Sequence, residues 1–143
     1  MKNALVIILS FVILLGTTAC GNNAPANVKK GFEYYVLMDD VATKILKGAK
    51  VKEVYMPTEK EKEMIKFISS YEGNVDASLE EQVMADSLKL MRLSLMDIYF
   101  MNTIAELDPS KGKDFSEELK VIFKTSQELS EYFSKQGLKH EVK

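Results

Sequence analysis

The stretch from Leu79 to Leu107 constrains this chain more than any other. It holds neither glycine nor proline, with Ser78-Leu79-Glu80-Glu81 at its start and Asp108-Pro109 at its end. Ser78 and Glu81 have capping-box spacing, in which a hydroxyl and a carboxylate satisfy two free amides of the first helical turn. Proline pushes the residue before it out of the helical region, so Asp108 ends the run. A helix over 79–107 is about 43 Å long at 1.5 Å per residue. Helices in proteins are stabilised chiefly by packing an apolar face, so other helices must line this one.

Its apolar residues do not keep to one side. At about 100° per residue, Val83, Met84, Leu88, Met91, Leu95, Ile98 and Ala105 share the expected core face. The opposite face starts polar with Gln82, Asp86 and Lys89, then continues as Leu93, Met96 and Phe100. Either other helices surround residues 90–107, or Leu93, Met96 and Phe100 form an exposed interaction patch.

Three further segments have helical periodicity. Residues 28–47 carry two apolar lines, one through Tyr34, Leu37, Met38, Val41 and Ile45, with Asn27 as the expected cap and Gly48 as the stop. Thr58 and Glu61 have capping-box spacing before a helix over 58–72, whose apolar face is Met64, Ile65, Phe67, Ile68 and Tyr71. Asp114 to Glu117 repeats that design ahead of a helix over 115–136, where Phe115, Leu119, Ile122, Ser126, Leu129 and Phe133 step by fours and threes. Residues 49–57 fit a loop, a short helix or an edge strand. Gly137 closes the last helix, and 138–143 reads as a frayed tail. No alternating apolar run of any length suggests a sheet. The expected fold is all-α, an up-and-down bundle of about four helices at 28–47, 58–72, 79–107 and 115–136.

Two charges interrupt the apolar lines. Arg92 has no acid at its helical neighbours, and Asp97 diverges from it by about 140°, so its partner must be water or another helix. Asp39 falls within an apolar line of the first helix. The expectation is a structural ion pair between Asp39 and Arg92 across the bundle. Asn102, on the core face, needs a hydrogen-bond partner if buried.

No residue set specifies a reaction. His140 is the only histidine and Cys20 the only cysteine, so neither a His/Cys metal set nor a Cys–His or Ser/His/Asp arrangement emerges. Met84, Met91, Met96 and Met101 point in different directions around one helix, which argues against copper. The formal charge of −2, with no basic cluster, argues against nucleic acid. The expectation is a non-enzyme without metal or cofactor.

The N-terminus supplies an address. Lys2 precedes the apolar run Ala4 to Leu15, followed by Gly16, Thr17, Thr18 and Ala19. That is the order of a secretory signal, and the run falls short of the about 20 apolar residues a spanning helix needs. Ala19-Cys20 followed by Gly21-Asn22-Asn23 resembles the lipobox of bacterial lipoproteins, although Thr17 stands where that family usually has leucine. The resemblance implies cleavage of 1–19 and diacylation of Cys20 on sulfur. The Gly, Asn, Ala and Pro25 that follow, without apolar periodicity, read as a flexible tether over 20–27 ahead of a domain over 28–143. The lipid would be the only added group. It also implies a protein anchored to a bacterial membrane and facing outside the cytoplasm. If the envelope has two membranes, the absence of Asp after Cys20 resembles the pattern that permits outer-membrane sorting.

The leading functional expectation is a membrane-anchored protein-interaction, envelope-accessory or protective module. The alternative is a carrier or sensor that holds a small apolar ligand between helices, in a cavity lined by Met91, Leu95 and Phe100.

Overall fold

The computed structural model describes residues 24–111 and 114–140, and all of its regular structure there is helical. The signal segment 1–19 and Cys20 lie outside the described residues. Five helices follow in order: α1 Ala26–Leu46, α2 Val51–Val54, α3 Thr58–Ser69, α4 Leu79–Leu107 and α5 Ser116–Lys135, with a 3-10 turn at Pro109–Lys111.

Side-chain contacts give the directions. Asn27 near the start of α1 donates to Glu81 in the first turn of α4 at 2.5 Å, and Lys52 after the end of α1 pairs with Glu106 at the end of α4. These two helices therefore run parallel. The chain then returns along α4: Tyr55 packs on Tyr99 with ring centroids 4.7 Å apart, Glu61 meets Arg92, and Glu72 meets Lys89. Phe115 and Leu119 lie near Asn102, whereas Leu129 and Tyr132 lie near Met84 and Val83, so α5 also runs against α4. The order up, down, up, down is the bundle expected from the four long segments.

The core fills the space between α1, α4 and α5, with α3 against its side. Met38, Met64, Leu88, Met91, Leu95, Ile98, Ile122 and Phe133 have no accessible surface. Methionine's flexible thioether suits such irregular space. At Gly31 the Met84 side chain of α4 packs directly on the α1 backbone: a Cβ there would lie 2.7 Å from the Met84 sulfur.

Several local expectations require correction. The range 79–107 and its Ser78–Glu81 capping box are as read from the sequence. The helix α1 starts at Ala26 behind Pro25, and Ala24 is already buried, so the tether does not extend to 27. Asn27 is inside the helix and is not its cap; its amide is used on Tyr71 and Glu81 instead. Thr58 does not cap α3, because Glu61 faces Tyr55 and Arg92 and the helix already includes Thr58. That helix ends at Ser69, short of 72. Asp114 does not form a box with Glu117; its carboxylate accepts from the Ser116 amide at 3.0 Å. The ambiguous 49–57 segment is a single helical turn, held by burial of Val51 and Met56. Val83, expected in the core, is exposed.

The tail after Gly137 is not frayed over its described part. Gly137 adopts φ +77°, which places its amide on the Ser134 carbonyl and the Leu138 amide on the Phe133 carbonyl. This is a Schellman closure, and its following apolar residue, Leu138, packs on the core. The closure turns the chain back over α1.

Candidate interaction surface

The expected Asp39–Arg92 pair does not form. The Arg92 guanidinium lies 3.3 Å from Glu61 on α3, with side chains 13% and 21% exposed. The Tyr55 hydroxyl donates to the same carboxylate at 3.1 Å. Burial, with the Glu61 charge second, pushes the Tyr55 phenol well above its ordinary range. Arg92 thus lies on the flank of α4 that α3 covers, whereas Asp39 on α1 faces α5.

Asp39 is 2% exposed, and α5 together with the returning tail supplies its partners. The Ser126 hydroxyl donates to its Oδ1 at 2.5 Å. His140 Nε2 lies 3.3 Å from its Oδ2, with the Tyr35 ring edge-on to the imidazole at a centroid distance of 5.7 Å. Asp40 stands 3.7 Å from the same nitrogen. A serine, an aspartate and a histidine therefore meet, but in the wrong order for nucleophilic catalysis. The carboxylate lies between hydroxyl and imidazole, whereas a triad needs the imidazole on the hydroxyl. The set is a clasp that ties the C-terminal residues to α1: the Ser126 hydroxyl satisfies Oδ1, whereas Oδ2 and the His140 Nε2 beside it are buried with no hydrogen-bond partner among the described residues.

The outer face of α4 is different in kind. Leu79, Val83, Leu90, Phe100, Ile104 and Leu107 are between 47% and 83% exposed, and Leu93 is half-buried among them. With Asp86 and Asp97 these residues step by four and three from end to end, which is the spacing of a helix–helix seam. Of the three residues expected in this patch, Phe100 stands fully on it and Leu93 partly. Met96 is half-buried toward α3, its sulfur 4.0 Å from the Arg92 guanidinium. The alternation of steps running on to Leu79 and Leu107 was present in the sequence. The polar start of the face at Gln82 and Lys89 concealed it.

The cavity imagined for an apolar ligand is not assembled. Met91 and Leu95 are sealed in the core, and Phe100 points the other way. Asn102, 5% exposed, donates to Glu106 at 2.8 Å and borders a groove of about 560 Å³ with Ile45, Val51, Phe115 and Leu119.

Among the described residues no group of three or more His, Cys, Asp or Glu side chains converges as a metal site would require. No described helix is long and apolar enough to cross a membrane. The fold and surface define an all-helical bundle with one outward apolar helix face. No protein-family model, curated protein or solved structure matches the chain.

Proposed function

We propose that the chain is an extracytoplasmic bacterial lipoprotein, anchored through Cys20, whose bundle presents the outer face of α4 to a protein partner. The observation that carries this reading is the exposed apolar line from Leu79 to Leu107. A band about 43 Å long and roughly 10 Å across, interrupted by Asp86 and Asp97, covers on the order of 400 Å², the size of the largest patch on a monomer, which is often functional. The order Lys2, apolar run, Ala19-Cys20 supports the anchor. Ala24 is already packed on the domain, so the tether from Cys20 is only about four residues, roughly 13 Å when extended. The bundle is then held against the membrane surface, with the first turn of α4 on the anchored side.

Two measurements test the two halves of this reading. Mass spectrometry of the membrane fraction should find a chain that begins at an acylated Cys20; a chain that retains Met1 and a bare thiol overturns the anchor. Capture of partners from native membranes should fail for Phe100→Asp. Equal recovery by both proteins overturns the role of this face.

A further inference from the structure

The two acids within the α4 seam restrict what can occupy it. Asp86 and Asp97 are exposed, and neither makes a hydrogen bond or ion pair among the described residues. They stand three turns apart, roughly 16 Å at 1.5 Å per residue. Every other seam position, from Leu79 to Leu107, is apolar. The cations nearest in the chain bond other acids, Lys89 to Glu72 and Arg92 to Glu61; the Asp86 charge acts on Lys89 only as a weaker influence behind Glu72. On the α5 side, the groove beside Leu79 and Val83 is rimmed by three acids, Glu80, Glu128 and Glu131, and one cation, Lys135, so its rim is net acidic.

This pattern excludes the simplest occupant, a second copy. A parallel pair sets Asp86 on Asp86 and Asp97 on Asp97. Any antiparallel register sets each acid on an apolar residue or on the other acid, because the seam itself carries no cation. Like charges at a seam and a carboxylate covered by apolar residues both destabilise. The area, on the order of 800 Å² over both partners, lies below the range of stable interfaces, so any occupant of this face binds transiently. A lipid surface fits no better, since interfacial helices carry lysine and arginine toward the headgroups, and this face carries acid.

Resting on the proposed protein-binding role of this face, we propose that the α4 seam binds a cationic amphipathic helix of a partner protein. That helix supplies apolar residues at steps of three and four and two lysines or arginines about three turns apart, set against Asp86 and Asp97. The spacing of four and three selects a helix, because such side chains interdigitate with a second helix along its length. The unpaired acids select the charge and fix the register, as polar residues within a seam do. The modest area makes the complex transient.

The test uses the full chain in detergent micelles and two synthetic 28-residue helices with leucine and isoleucine at the seam positions. One carries lysine at the two positions opposite Asp86 and Asp97, and the other carries glutamate there. Titration followed by fluorescence anisotropy should show at least tenfold tighter binding of the lysine peptide. Asp86→Lys with Asp97→Lys should reverse the preference, with unchanged helical circular dichroism. Equal affinity for the two peptides, or no change of preference on charge reversal, overturns the proposal. Sedimentation that shows a dimer abolished by Phe100→Asp overturns it in favour of a second copy. Binding to phospholipid vesicles through Phe100 overturns it in favour of lipid. If Phe100→Asp abolishes partner capture while the two peptides bind equally, the interaction face stands and the cationic helix falls.

Discussion

The Arg92 guanidinium lies 3.3 Å from the Glu61 carboxylate, and this contact holds α3 on the flank of α4, leaving the outer face open. Lys89–Glu72 repeats the connection nearer the start of α4. Burial of Met64 and Ile68 seats α3 on that flank, and Lys89–Glu72 ties the turn after α3 to the same side, so the apolar line from Leu79 to Leu107 stays uncovered although a fourth long helix is present. The accessibility of the proposed interface is therefore a consequence of the side α3 takes.

Breaking this contact should loosen α3 specifically. Glu61→Leu leaves a half-buried guanidinium and the Tyr55 hydroxyl without their carboxylate, at a cost of about 1–3 kcal/mol. Arg92→Met with Glu61→Leu should recover much of that loss, because removing both partners leaves no orphaned charge. Chemical denaturation of the two single variants and the double variant measures the coupling. Additive losses would show that the pair contributes nothing jointly.

The Asp39 clasp makes a separate prediction about the C-terminus. Ser126→Ala removes the hydroxyl that donates to a 2% exposed carboxylate, and should destabilise by about 1–3 kcal/mol. His140→Ala should instead release the tail locally. Amide exchange at Leu138 and Lys139 should quicken, with little change across α4. Uniform acceleration along the whole chain would contradict a local clasp.

Acid should act through Glu81. The Ser78 amide first, then the Ser78 hydroxyl and the Asn27 amide, hold this carboxylate below the ordinary glutamate range. The unfolded chain therefore takes up its proton first as pH falls. The stability that Glu81 contributes is complete at neutral pH and declines as pH drops through the unfolded value of about 4.3 and below. Glu81→Gln should flatten the pH dependence of the melting temperature below about pH 5 relative to the parent. An unchanged slope would contradict this role.

The long helix, its caps and the all-α class were legible because they depend on neighbours in the chain. Ser78–Glu81 is a local contact, and Leu79–Leu107 has no breaker. The long-range partners were not legible in the same way. Glu61 stands where a capping box puts it, yet it turns to Arg92 because that cation has no acid three or four residues away on its own helix. Asp39 looked like the complement of Arg92 because both interrupt apolar lines. Its partners come from Ser126, which reads as one small residue in a seam, and His140, which reads as tail. Only the turn at Gly137 brings the imidazole back, and a left-handed glycine does not state its destination. For the α4 face, periodicity showed that it was apolar. Whether another helix covered it depended on the side α3 takes.

Surface truncation should leave the fold intact. Phe100→Ser, Ile104→Ser and Leu107→Ser remove exposed side chains and should each shift stability by less than about 0.5 kcal/mol. Leu95→Ala, on the buried side of the same helix, should cost about 2–5 kcal/mol. Thermal melts that rank the four variants otherwise would place the faces of α4 incorrectly.

The claim that the outer face of α4 is a protein-binding surface is tested most directly by site-specific photo-crosslinking in native membranes. A photoreactive side chain replaces Phe100 in one protein, Ile104 in a second and the exposed Lys124 of α5 in a third. The account expects a shared protein adduct from positions 100 and 104 that is missing from position 124. Adducts of equal yield at all three positions, or none at 100 and 104, would contradict it.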